Sequence, residues 1–272
     1  MFKDGDDPSN LIPFAVGLLS DHTTGGISTF LITVRKIMCK VKNRYQTPSF
    51  FVCDFSLAIM NALLTTFNCE NMENHLKRCW SILHKEYSWL ELRSSAIIRV
   101  CCAHVMHAFV RSLHNMKLKK GERHQCTKLF AVLLNTDTLE DAFGLFEKIL
   151  IIYGDVNAPN TDKLLSPIVD VTNVLRFDLQ EFLKDELELA EESVTPPIED
   201  TFASSKSTIH CSPFTCEARK RLPLLERILK EKKDDNNTII NPHYSRNIIL
   251  TLYRWFAYLP LWTCIMSEYY DR

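Results

Sequence analysis

Two short runs without helical period, "SFFVC" at 49–53 and "IIRVCC" at 97–102, set the strongest limit on what this chain can fold into. Both are rich in aromatic or β-branched residues, and both pass at once into sequence with apolar residues at three- and four-residue steps. After the first run these are Leu57, Met60, Leu63, Leu64 and Phe67; after the second, the pattern holds from Ala103 to Leu118. Short apolar strands that feed directly into helices predict a parallel α/β layer. Upstream, Leu11–Leu19 predicts a further strand, with Pro13 at its start or on a sheet edge. Ile27, Phe30, Leu31, Val34, Ile37, Met38 and Val41 then fall on one helical face. Asn71–Leu83 predicts another helix, so residues 10–118 read strand, helix, strand, helix, helix, strand, helix.

Beyond that point the strand signals fade. Helices are predicted at Thr138–Tyr153, Leu175–Glu192 and Cys216–Lys233, with a turn at Asp234–Thr238. The Ser/Thr/Pro-rich stretch 193–215 predicts a loop. An aromatic helix containing Trp255 begins at Arg246 and leads on to Trp262. The expected class is therefore α/β plus α, with region 1–120 carrying the sheet and region 121–272 all helical. No internal repeat is present. Charge divides along nearly the same line: residues 1–130 carry 17 Lys/Arg against 10 Asp/Glu, and residues 131–272 carry 15 against 23. A basic front half can steer a polyanion to one face although the whole chain has a net charge of −1. Nine Asp/Glu against one Lys between Asp178 and Asp200 read as a solvated helix face.

No secretory apolar segment follows Met1, and Cys53, Cys101 and Cys102 sit in apolar runs. Buried thiols in a reducing compartment, nucleus or cytoplasm, are the expectation. Ile248–Met266 is the most apolar long stretch, but Arg254 and Pro260 make it a core helix followed by a break rather than a membrane span.

Four groups of residues carry candidate chemistry. Asp54 ends the first run; a carboxylate there either faces a ligand at the carboxyl edge of a sheet or caps the following helix. Cys101 and His104 bracket the next strand-to-helix junction in a Cys-x-x-His pattern. That supplies two of the four ligands a structural zinc site needs, with His75, Cys79 or His84 as the source of a second pair. The competing reading is a buried thiol beside a hydrogen-bonded core histidine. His210, Cys211 and Cys216 form a sparser set. Lys117, Lys119, Lys120 and Arg123 form a basic cluster that suits phosphates or a solvated loop. The signatures of phosphate loops, zinc proteases and serine hydrolases do not occur.

The stretches "LIPFAVGLLSDHTTGGISTFL", "FFVCDFSLAIMNALLTTFN" and "RVCCAHVMHAFVRSL" resemble, in this order, the catalytic core of the Mutator-like (MULE) DDE transposases. "YRWFAYLPLWTCIMSEYYDR" looks like the run leading into that family's last catalytic motif. The resemblance implies a ribonuclease H-like fold in which three acids hold two Mg²⁺ or Mn²⁺ ions. It makes Asp54 the second acid, Cys101 and His104 the Cys-x-x-His that follows the next strand, and 121–272 a helical insertion. It also implies departures. The chain opens at the family's third strand, and Asp4, Asp6, Asp7 and Asp21 do not end a strand where the first acid belongs. It closes about where the glutamate is due, and Glu268 belongs to the run before it. Positions 54 and 101 lie 47 apart, a longer gap than the family's, with room for an extra helix from Asn71.

A partial, truncated ribonuclease H-like sheet in a transposase-derived protein without strand-transfer activity is the expectation. DNA, a protein partner or a second copy of the chain would bind it; a membrane would not. Two rivals remain open: a helical interaction module using the acidic half, and an active nuclease. The nuclease requires a second acid, such as Asp21, close to Asp54.

Overall fold

Strand β1 (Phe50–Cys53) pairs in parallel with β2 (Ile97–Val100), placing Phe50 opposite Ile97 and Cys53 opposite Val100. The ladder closes at both ends, through Ile97 N–H to Ser49 O (2.9 Å) and Cys101 N–H to Cys53 O (2.8 Å). The structure, a computed structural model, describes residues 17, 19, 21–42, 48–116, 118–171, 206–230 and 240–269. Nearly all of the strand expected at Leu11–Leu19 lies outside those residues. So do the helix expected at Leu175–Glu192, the turn at Asp234–Thr238, and Asp4, Asp6, Asp7 and Lys117.

The described chain is mostly helical around this small sheet. Helix α1 (Thr24–Lys42) packs on α2 (Leu57–Leu63), with Ile27 of the predicted face buried and Ile37 exposed. A π-helical turn, Leu64–Asn68, extends α2 and ends at Cys69 in the left-handed conformation (φ 56°). Helix α3 (Met72–Leu83) starts on Asn71, whose side chain accepts from the Asn74 amide at 2.9 Å. Helix α4 (Trp89–Ser94) was not expected. Its signal is the Ser88-x-x-Glu91 capping box, in which Ser88 Oγ accepts from the Glu91 amide and Glu91 Oε2 from the Ser88 amide. Helix α5 (Cys102–His114) follows β2, and then come α6 (Lys120–Leu134), α7 (Leu139–Gly154) and α8 (Asp162–Val171).

The expected loop 193–215 is corrected in its later part. Helix α9 (Lys206–Cys211) and the start of α10 (Pro213–Arg221) lie within it. Tertiary packing overrides the Ser/Pro composition there. Phe214 is fully buried edge-on to Trp80 (5.2 Å between centroids), and Ser212 Oγ donates to Ala257 O at 2.6 Å. The single helix expected at Cys216–Lys233 is two, because Pro223 opens α11 (Pro223–Lys230) after Leu222. Helices α12 (Arg246–Phe256) and α13 (Leu259–Trp262) and a 3₁₀ turn (Ser267–Tyr269) complete the described chain. Among the described residues no helix is long and apolar enough to cross a membrane.

One hydrophobic cluster extends from Met60 in α2 to Met266, crossing the 120/121 boundary between the expected regions. Its centre is aromatic: Phe109 stacks on Phe130 at 3.8 Å, Phe130 on Trp262 at 4.7 Å, and Trp255 meets Phe130 edge-on at 5.4 Å. Such pairs add about 0.5–1.5 kcal/mol each to the burial of their area. Helices α5, α6, α12 and α13 are thereby clamped around three ring layers, and β2 is buried against them except at Arg99. β1 is less covered, with Val52 58% exposed.

Candidate functional site

Asp54 is the residue next after β1, and Cys101 the residue next after β2. Because the strands are parallel and in register, the two lie side by side at the carboxyl edge of the sheet. The helix cap and the carboxylate are separate residues. Ser56 is the N-cap of α2, its Oγ accepting from the Ile59 amide, while the Asp54 carbonyl accepts from the Ser56 amide at 2.8 Å. The Asp54 carboxylate is consequently 64% exposed and turned toward the neighbouring junction. There His104 Nδ1 lies 3.3 Å from its Oδ1. His104 sits in the first turn of α5, three residues after Cys101, so helix geometry brings its ring back over the strand ends. Phe55, stacked on Trp255 at 5.0 Å, pins the intervening turn to the aromatic core.

The cysteines at this edge, Cys53, Cys101 and Cys102, are half-buried, not the fully buried thiols expected from their apolar runs. Burial, with Asp54 and Cys101 adding to it, pushes the Cys53 thiol up to about 12. Cys53 is therefore a neutral thiol at physiological pH. The Cys101 amide closes the ladder and its carbonyl accepts from the Val105 amide at 3.0 Å. Arg99 Nη2 contacts the sulfurs of Cys102 (3.6 Å) and Cys264 (3.3 Å), tying β2 to the segment after α13.

The second pair of ligands imagined for a zinc site is engaged elsewhere. His75 is fully buried in α3, its Nδ1 2.8 Å from Glu70 Oε1 and its Nε2 3.7 Å from Cys79 Sγ. His84 Nδ1 lies 2.8 Å from Trp80 O on the surface. His210, Cys211 and Cys216 also form no metal-holding set, and Cys216 Sγ donates to His210 O at 3.4 Å. Asp21 accepts from the Thr23 amide (3.0 Å) and hydroxyl (2.6 Å) at the start of α1, and these bonds hold its carboxyl below the usual range. Among the described residues no three His, Cys, Asp or Glu side chains gather to hold a metal ion.

The basic cluster divides. Lys119 and Lys120 are exposed where α6 begins, and the Lys119 amide donates to Glu122 Oε2 at 3.2 Å, so the cluster opens a helix instead of lying in a loop. Arg123 is half-buried, with Nη1 2.9 Å from His114 Nδ1. The most elaborate polar group was missed in the sequence. Glu70 receives Arg78 Nη2 (2.6 Å) and Nε (3.1 Å) besides His75, and Arg78 Nη2 also donates to Ala96 O (2.8 Å). The Asn68 amide doubles the tie, donating to Ala96 O and accepting from Ala96 N–H, both at 2.8 Å. An arginine among the apolar residues Leu76, Cys79 and Ile82 of α3 was the available signal, because a buried cation demands an acid.

Compared with protein-family models, with curated proteins and with solved structures, the chain matches none.

Proposed function

We propose that this is a transposase-derived, ribonuclease H-like protein that engages DNA without cutting or joining it. The observation that carries the reading is the position of Asp54. It stands at the carboxyl edge of a parallel strand pair, beside the junction that delivers His104, and is not consumed by helix capping. That is the edge on which open α/β sheets place their ligands. A strand ending at the acid, and a parallel strand followed by the Cys-x-x-His, agree with what the transposase resemblance implies, with α3 and α4 interposed in the longer gap.

The residues gathered there do not fit a two-metal centre. Two ions about 3.5–4 Å apart, clamping the attacking and leaving oxygens, require several bridging carboxylates. Among the described residues, one carboxylate and one imidazole meet at the edge. Mg²⁺ or Mn²⁺ on that pair would keep most of its water, and zinc would lack ligands. No catalytic step is therefore assigned to the site. Lys119 and Lys120, exposed on the basic half of the chain, provide charge for phosphates.

The test is nicking of supercoiled plasmid in Mg²⁺ or Mn²⁺, with Asp54→Ala as control, alongside duplex binding across a salt series. Salt-sensitive binding without nicking is expected. Metal-dependent nicking that disappears in Asp54→Ala would establish an active nuclease, and binding indifferent to salt would remove the phosphate contacts.

A further inference from the structure

A cavity of about 380 Å³ opens between α5 and α6, on different residues from the strand edge. Its floor is apolar: Val110 and Leu113 of α5 are both buried and present side-chain surface to it. Among the described residues its ionisable groups are all basic residues. His114 ends α5, and Lys120, Arg123 and His124 come from the first turns of α6. Among the described residues no carboxylate lines it.

Arg123 is the centre of this arrangement. A guanidinium has donors only and keeps its charge at any pH a folded protein meets. Its side-chain partner among the described residues is His114, through Nη1 to Nδ1 at 2.9 Å. Facing a donor, Nδ1 must accept, so the His114 ring is neutral and its proton sits on Nε2. The imidazole orients the guanidinium and leaves its positive charge uncompensated. Burial and the nearby Lys128 hold the His124 pKa down, so that ring is neutral at pH 7 as well. A half-buried cation over apolar walls, without an acid, is a group that awaits an anion.

We propose that this cavity binds a small organic carboxylate, with the carboxylate on the Arg123 guanidinium and an apolar body against Val110 and Leu113. The volume lies within the roughly 300–1,000 Å³ usual for small-molecule sites, and apolar walls with a few placed polar groups are their usual lining. A planar fork matches a carboxylate through two parallel hydrogen bonds. A nucleotide suits the lining less well. Its base and sugar need hydroxyl or amide partners, whereas Thr127 is the one hydroxyl in the lining and already donates to Arg123 O at 2.9 Å.

The experiment titrates the full chain with octanoate, with octanol as its uncharged twin and with inorganic phosphate, following chemical shifts or heat. Octanoate should bind saturably, and octanol and phosphate each at least about tenfold more weakly: octanol loses the charged hydrogen-bonded pair, and phosphate loses the burial of the apolar body. Arg123→Met should weaken octanoate by a similar factor. Should that variant fold poorly, Gly121→Leu replaces it. A Cβ at Gly121 meets nothing within 4 Å, so the added side chain fits the fold and obstructs the rim. No saturable octanoate binding, equal binding of octanol or phosphate, or octanoate affinity unchanged in the variant that folds would overturn the proposal. Neither the nicking result nor the salt series bears on these outcomes.

Discussion

Replacing Glu70 by Gln tests whether the buried cluster at the foot of β2 holds the sheet to α3. The Glu70 side chain is 12% exposed and Arg78's 7%. Burial alone would raise the Glu70 carboxyl, but the hydrogen bonds from His75 and Arg78 outweigh it and bring its pKa from 4.5 down to about 2. A displacement of that size corresponds to ~3.4 kcal/mol at most, and solvent screening at the exposed fraction reduces it to about 2–3 kcal/mol. The sign follows from the folded value lying below the unfolded one. The stabilisation is complete above pH 4.5 and is lost as the pH falls toward 2. Gln preserves shape but not charge, turns one accepting oxygen into a donor that faces other donors, and leaves Arg78 buried without its acid. Urea denaturation should therefore show Glu70→Gln about 2–3 kcal/mol less stable than wild type at pH 7. The gap should narrow steadily below pH 4.5, because protonated wild type then resembles the variant. Other carboxylates titrate in both proteins and cancel in the difference. A gap that stays constant from pH 7 to pH 3 would refute the electrostatic account, and the absence of any gap at pH 7 would refute the structural role.

Four further substitutions probe the rest of the molecule by the same denaturation assay. Phe130→Ala removes the ring shared by Phe109, Trp255 and Trp262 and should cost about 3–5 kcal/mol. Asn241→Ala should cost about 3 kcal/mol, since its amide donates to Ile152 O and Asp155 O and accepts from Thr161 and His243 at the end of α7. Tyr153→Phe should stabilise by up to about 1 kcal/mol, because the Tyr153 hydroxyl is buried without a hydrogen-bond partner among the described residues. His104→Ala should shift stability by less than about 0.5 kcal/mol, as the pair with Asp54 is largely exposed. A large loss there would make the pair structural and weaken its reading as a site.

What the sequence disclosed followed physical period. The runs at 49–53 and 97–102 became parallel strands because β-branched and aromatic residues without helical spacing have few other uses. The helices with clear apolar faces, α3 and α7 among them, fell within a few residues of expectation. The sequence was opaque where tertiary contacts override composition. Ser212 and Thr215 look like loop residues, yet the Ser212 hydroxyl donates to Ala257 O and the Thr215 hydroxyl to Ile209 O, so both are consumed inside the fold. Glu70 and Arg78 lie eight positions apart on either side of a helix start, a spacing no local rule connects. The Asn71 cap and the first turns of α3, which lie between them, bring the two side chains together at 2.6 Å.

The same contrast applies at the strand edge. From sequence, Asp54 had two equivalent uses, because a favoured capping residue and an edge carboxylate occupy the same position before a helix. Ser56 separates them. By closing the turn with its own amide on Asp54 O and offering its hydroxyl to Ile59, it performs the local task and leaves the carboxylate to a longer-range one. His104 is reached only because β2 lies parallel and in register with β1, so the pairing across 50 residues of chain is a consequence of sheet geometry, not of motif spacing. Exchanging the two tasks gives a direct check. In Ser56→Ala, α2 loses its cap and should lose about 1 kcal/mol. In Asp54→Ser, stability should hold while any affinity of the edge for Mn²⁺, read from proton relaxation of bound water, disappears. Equal destabilisation by both substitutions would mean that Asp54 caps after all and that the edge carries no separate function.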